Sequence, residues 1–262
     1  MGKIIAVVNQ KGGVGKTTTA VNAASCIASL DKKVLVLDID PQGNSTLGLG
    51  FDKESGDKNI YGILMEETPV KPVIKETSFK NLSLIPSNID LTGAEVELVS
   101  LENREKRLKN ALEQIRLHYD YIFIDAPPSL GFLTLNALTA ADSVIIPIQC
   151  EFYALDGLGQ LFKTIEVVRG RLNPELFIEG VLITMFDSRT NLAMQVVDEI
   201  KKKFKDRVYD TMIPRNIRLS EAPSFGQPID VYDKSSRGAR AYEALALEIT
   251  GMNEDAVLRR GG

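Results

Sequence analysis

Three glycines, two lysines and a threonine crowd the segment Gln10-Lys11-Gly12-Gly13-Val14-Gly15-Lys16-Thr17. Gly12, Gly13 and Gly15 let the backbone turn tightly and bring several N–H groups toward one point, a nest for an anion. A helix starting just after them would add its N-terminus to the same site. Lys16 supplies a point charge suited to the β- and γ-phosphates of a nucleotide, and the Thr17 hydroxyl can ligate Mg2+. Thr18 closes a candidate phosphate-binding set that runs Lys11, Gly12, Gly13, Val14, Gly15, Lys16, Thr17, Thr18. The usual pattern is G-x-x-x-x-G-K-[ST] between a strand and a helix. Here Gln10 stands where the first glycine is expected, and a second lysine, Lys11, heads the loop. A glycine turn that only caps a helix accounts for the glycines but not for the Lys-Thr pair that follows.

Carboxylates recur at the ends of two apolar runs. Asp38 and Asp40 close the run that begins at Lys33, where ligands bind in open α/β sheets, and either could hold or orient water beside a metal ion. Asp125 ends Tyr121–Ile124 and is placed to bind the Mg2+ shell. Pro127 and Pro128 after it forbid helix continuation and fix the adjoining loop. Cys26 and Cys150 share no CxxC motif, and a single histidine, His118, leaves no zinc set. Cys26 falls on the apolar face of a predicted helix and is expected in the core.

The elements that must position these groups are legible as alternating short apolar runs and helical patterns. Strands are predicted at 3–9, 33–38, 82–86, 121–125, 143–147, 178–184 and 208–213. Helices are predicted at 16–30, near 92–117, 130–140, 155–172, 191–204 and 236–250. Strands apolar throughout are buried on both faces, as in parallel sheets covered by helices. The expected fold class is therefore α/β, a doubly wound, mostly parallel sheet with helices on both faces. Residues 50–80 read as an irregular excursion from the sheet. Residues 1–250 are expected to form a single nucleotide-binding domain, and residues 251–262 a loosely ordered C-terminal tail. With 262 residues, 44% hydrophobic and 25% charged, the chain has the composition of a globular protein with a large core. The formal net charge of −4 excludes a globally basic nucleic-acid binder but not a local basic patch. Bases outnumber acids between residues 185 and 240. No apolar run approaches the ~20 residues of a membrane span, and the expectation is a cytoplasmic, reduced protein.

The segment KGGVGKTT with a lysine at its head resembles the deviant Walker A motif of the ParA/MinD ATPases. Asp38-Ile39-Asp40-Pro41-Gln42-Gly43-Asn44 looks like that group's second motif, and Phe123-Ile124-Asp125-Ala126-Pro127-Pro128 like its Walker B. Ile213-Pro214-Arg215-Asn216 and Leu219-Ser220-Glu221-Ala222-Pro223-Ser224 narrow the resemblance to the ParA/Soj-type chromosome-partitioning ATPases, from about Lys3 to about Ile249. The resemblance implies an ATPase that uses ATP and Mg2+. Lys16, Asp40 and Asp125 would serve hydrolysis, with Asp40 orienting the attacking water and Thr17 and Asp125 holding the metal directly or through water. Lys11 would reach the nucleotide of a partner subunit, so that an ATP-dependent homodimer forms and dissociates after hydrolysis. Pro214 and Asn216 would line the adenine. An iron–sulfur role, known in the superfamily, is not expected, because the residues directly after Asp125, Ala126-Pro127-Pro128-Ser129, include no cysteine and Cys150 has no companion.

The resemblance also implies sequence-independent binding of double-stranded DNA through Arg189 and Arg218, a nucleoid-associated location and a ParB-type centromere-binding partner that stimulates hydrolysis. Lys201-Lys202-Lys203, Lys205, Arg215, Lys234, Arg237 and Arg240 are further basic candidates. No helix-turn-helix or zinc finger suggests base readout. Two alternatives belong to other classes: a membrane-bound MinD-like positioning ATPase, and a nucleotide-dependent switch whose output is protein binding. The predicted last helix carries Glu243 and Glu248 and no base between 241 and 249, unlike a lipid-docking helix, so no membrane partner is expected.

Overall fold

A computed structural model describes residues 2–53, 58–151 and 158–252. Eight strands form one sheet: β1 Lys3–Val7, β2 Val34–Asp38, β3 Lys75–Glu76, β4 Leu82–Ile85, β5 Tyr121–Asp125, β6 Ser143–Gln149, β7 Phe177–Phe186 and β8 Val208–Pro214. Their order is β3-β4-β2-β5-β1-β6-β7-β8. Every pairing is parallel except that of β3 with β4. The helices are α1 Lys16–Ala28, α2 Asn44–Gly48, α3 Ile60–Met65, α4 Leu91–Glu97, α5 Arg107–Glu113, α6 Phe132–Ala140, α7 Leu158–Arg171, α8 Asn191–Phe204, α9 Ile217–Glu221, α10 Ile229–Tyr232 and α11 Arg237–Thr250.

Side chains alternate between two cores, as the pleat requires. Ile4, Ala6, Leu35, Leu37, Ile122, Ile124, Val144 and Ile146 face one core, which α3 to α8 complete. Ile5, Val7, Val34, Val36, Phe123 and Ile145 face the other, under α1, α10 and α11. This two-sided burial is why the central strands read as unbroken apolar runs. Cys26 lies in the second core. The connection after β1 runs to β2, past β5, and the one after β5 runs to β6, past β1. The chain thus changes direction along the sheet between these strands, and a crevice is expected beyond their carboxyl ends.

Two expectations need correction. The stretch 92–117 is not one helix. It breaks after Ser100, where Leu101 turns extended (ψ 143°) and Asn103 takes a left-handed φ of 52°. Asn136 of α6 holds the break, donating to Arg104 O (2.7 Å) and accepting from Leu108 N (3.2 Å). Residues 50–80 are not wholly outside the sheet: they include α3 and return through β3, which adds an antiparallel edge to β4. The start of the predicted helix 155–172 lies partly outside the described residues, as does the tail beyond Met252.

Candidate nucleotide site

The loop from Gln10 to Gly15 joins the carboxyl end of β1 to α1. Gly13 (φ 72°) and Gly15 (φ 90°) both sit in the left-handed region, where a Cβ is strained. The loop is braced from several sides. Asn9 accepts from Lys11 N (2.9 Å) and donates to Pro147 O (2.7 Å), tying the loop's head to β6. Thr184 of β7 donates to Val14 O (2.8 Å), tying its far side to β7. Lys16 Nζ spans the loop to Lys11 O (3.0 Å). Gly12 and Gly13 have open space where a Cβ would stand.

Lys16 is buried, and burial pushes its ammonium below the usual lysine value, opposed by the negative charge of Asp125 and Asp40. These three sequence-predicted residues therefore share one electrostatic site. Asp125 is fully buried at the end of β5. Its Oδ2 accepts from Ser45 (2.7 Å), while Oδ1 has no hydrogen-bond partner among the described residues. Burial raises its carboxyl above the usual range, against the pull of the Ser45 and Thr17 hydroxyls. A buried carboxylate oxygen without a donor, beside a hydroxyl and an ammonium, suits a hard cation that brings its own waters or phosphate oxygens. No group of three or more His, Cys, Asp or Glu able to hold a metal occurs among the described residues. Mg2+ needs no such cage when substrate phosphates supply ligands.

The two acids after β2 do different things. Asp38 is fully buried and spent on backbone: Oδ2 accepts from Thr46 N and Thr46 Oγ1 (2.8 Å each), and Oδ1 from Asp40 N (3.1 Å). Burial and the neighbouring Asp125 charge raise its carboxyl well above the ordinary range. It fastens α2 under the site rather than facing a ligand. Asp40 is held by its own turn: Oδ1 accepts from Gln42 N (2.9 Å), and its carbonyl accepts from Ser87 Oγ (2.7 Å) and Gly43 N (2.9 Å). Its Oδ2 is left without a donor among the described residues.

Sequence reasoning missed the wall beside the helix start. Thr17, Thr18, Asn44, Leu47, Pro223 and Gln227 line a cleft of about 250 Å³. The segment after α9 reaches it because Gly226 packs against Gly50, where a Cβ on Gly226 would lie 2.6 Å from Gly50 Cα. The hydroxyls of Ser45 and Thr46 were also overlooked, although they directly follow the Asp-rich turn. Thr184 gave no local signal, since only the β7 position beside the loop gives it a role.

The remaining candidates lie apart. Pro214 ends β8 and lines a polar groove of about 320 Å³ with Phe186, Asp187, Arg189, Arg215 and Arg237. Asn216 caps α9, accepting from Arg218 N (2.8 Å). Arg189 is exposed but forked onto Asp187 (2.8 and 2.6 Å), which holds that carboxyl well below its ordinary range. Arg218 is half exposed and pairs with Glu221 (2.8 Å) and Asp233 (3.4 Å). The two arginines thus occupy separate ion-paired settings. Among the described residues no helix is long and apolar enough to cross a membrane.

Comparison with known proteins bears on this site. Residues 2–178 match the family model described as an AAA domain. The chain is 59% identical to the sporulation initiation inhibitor protein Soj of Bacillus subtilis, over 95% of this chain and 98% of that one. It is 53% identical to the chromosome partitioning protein ParA of Myxococcus xanthus, over 95% and 88%. Among solved structures it is similar to a cobyrinic acid a,c-diamide synthase of Mycobacterium smegmatis with bound ADP and magnesium. That likeness has a TM-score of 0.83 and 37% identity, covering 100% of this chain and 96% of the other.

Proposed function

The chain belongs to the ParA/Soj-type chromosome-partitioning ATPases, and on that premise we propose that it is an ATP-driven dimerisation switch that binds DNA without sequence preference. The observation that carries the reading is the convergence of Lys16, Asp125 and Asp40 on one loop that also presents a second lysine. A solved relative carries ADP and magnesium, and the site here has the residues to receive both. The nest from Gly12 to Thr17 binds the phosphates, and Lys16 sets its charge against the β- and γ-oxygens. Thr17 and Asp125 hold Mg2+, which neutralises charge developing on the transferred phosphoryl group. Asp40, its backbone pinned by Ser87 and Gly43, orients the attacking water through its free oxygen. Pro214 and Asn216 are proposed to contact the base on the strength of the family resemblance, with the Asn216 side-chain amide as the donor, since its oxygen already accepts from Arg218 N.

Phosphoryl transfer of this kind needs placement and charge more than covalent chemistry. Lys11 supplies charge to the nucleotide of a second subunit, so ATP joins two copies and hydrolysis parts them. Arg189 and Arg218 meet DNA phosphates, and pairing two subunits raises the avidity of a weak patch. A ParB-type partner accelerates turnover. Residues 1–250 act as one domain, and the protein works on the nucleoid in the cytoplasm. The test of the phosphate-loop assignment is turnover: Lys16→Ala should abolish hydrolysis in a phosphate-release assay, and normal turnover would remove that assignment.

A further inference from the structure

We infer that Glu151 is a positioning residue that holds the Lys11 ammonium within its own subunit until a nucleotide in the other subunit competes for it. The inference rests on the reading of Lys11 as an intersubunit lysine. The head of the phosphate loop is fastened, residue by residue, to the far end of β6 and to α7. Asn9 donates to Pro147 O (2.7 Å) and accepts from Lys11 N (2.9 Å). Gln10 Nε2 donates to Gln160 Oε1 of α7 (3.2 Å). Lys11 Nζ then ion-pairs with Glu151, two residues beyond the end of β6. A turn bond from Glu151 N to Gln149 O (2.9 Å) sets that carboxylate's approach.

The backbone of Lys11 is thereby fixed while its side chain keeps one exchangeable bond. Both partners of the pair are close to half exposed, at 43% and 48%. Exposed pairs of this kind change an equilibrium by no more than about five-fold, so Glu151 can restrain Lys11 without trapping it. A triphosphate carries several negative charges against one on the carboxylate and takes the ammonium when it arrives. Until then the lysine is neutralised at home, and a second copy meets an ion pair in place of a bare cation. Lys16 is not part of this exchange, since its ammonium spans to the Lys11 carbonyl and not to the side chain.

Removing the carboxylate charge while keeping its shape should free the lysine. Two measurements on the full chain test this. In the first, nucleotide-free protein is acylated with an N-hydroxysuccinimide ester of acetate and read lysine by lysine by mass spectrometry. Lys11 should react several-fold faster in Glu151→Gln than in the parent, with distant Lys80 unchanged. In the second, light scattering follows assembly against ATP in an Asp40→Ala background. Glu151→Gln should lower the ATP needed for half-maximal dimer by about five-fold, and should not restore assembly to a Lys11→Ala protein. Equal labelling of Lys11 in both proteins overturns the inference, and so does an unchanged or increased ATP requirement. Faster labelling with no dimer in the parent would instead remove the intersubunit reading on which the inference stands.

Discussion

Asp40 and Asp38 sit two residues apart, yet their surroundings give them different work. Both oxygens of Asp38 accept hydrogen bonds, whereas only one oxygen of Asp40 does so among the described residues. Asp40→Ala should therefore bind ATP, assemble and hydrolyse slowly, with turnover down by about 10²–10⁴-fold, the range for a positioned proton-handling group. Phosphate release read beside light scattering checks this, and turnover at the parental rate would make Asp40 structural. Gly12 gives a second residue-scale test. A Cβ there meets nothing within 4 Å, so Gly12→Val should fold as stably as the parent. Its added bulk points into the space a partner's loop or phosphates must enter, so the ATP dimer should be lost while some nucleotide binding remains. A stable dimer of this variant in light scattering would refute the packing argument. The phosphate loop was legible in the sequence because its chemistry is local: glycines, Lys16 and Thr17 are neighbours. The division of labour between Asp38 and Asp40 was not, because it depends on where α2 puts the Thr46 N–H. Glu151 was equally silent, being 140 residues from the lysine it meets.

The strands were readable as elements because both faces are buried and the apolar runs are unbroken. The helical layer was harder. A continuous helix over 92–117 fits the local pattern, but the hydrogen bonds of Asn136 with Arg104 and Leu108 select a broken path. The break frees α4 to sit across the start of α6. There Glu95 accepts from Phe132 N (2.7 Å) and Leu133 N (3.3 Å), a carboxylate on a helix N-terminus. A Cβ on Gly131 would collide with that carboxylate at 2.4 Å. Glu95→Ala leaves two N–H groups at the start of α6 without their partner. It should cost about 1–3 kcal/mol, seen in thermal unfolding as a midpoint lower by several degrees. Because α6 follows the loop after Asp125, the same change should also slow turnover. An unchanged midpoint would show that water serves the helix start equally well.

Across the whole molecule the net charge is negative, so the proposed DNA binding would rest on a local surface. The structure gives the candidate arginines close acidic partners, which the sequence could not reveal for the groove at Asp187. Arg189 is already forked onto Asp187, so under the proposed function a DNA phosphate has to compete with that carboxylate. Asp187→Asn should tighten binding to unrelated duplexes alike, while Arg189→Ala and Arg218→Ala should weaken it. Each arginine change should reduce the slope of log affinity against log salt by about 0.9 for every phosphate the protein no longer neutralises. Filter binding across a salt series checks all three, and arginine variants that match the parent at every salt would place the DNA face elsewhere. Weak, non-specific binding of this kind becomes useful when two copies act together, so assembly and DNA binding should switch as one. Sedimentation velocity of the Asp40→Ala protein with a fluorescent DNA duplex reads both properties at once. With ATP, a dimer should sediment together with the DNA; with ADP, a monomer and free DNA should be seen. Equal DNA binding in both nucleotides, or DNA carried by a monomer in ATP, would contradict the switch.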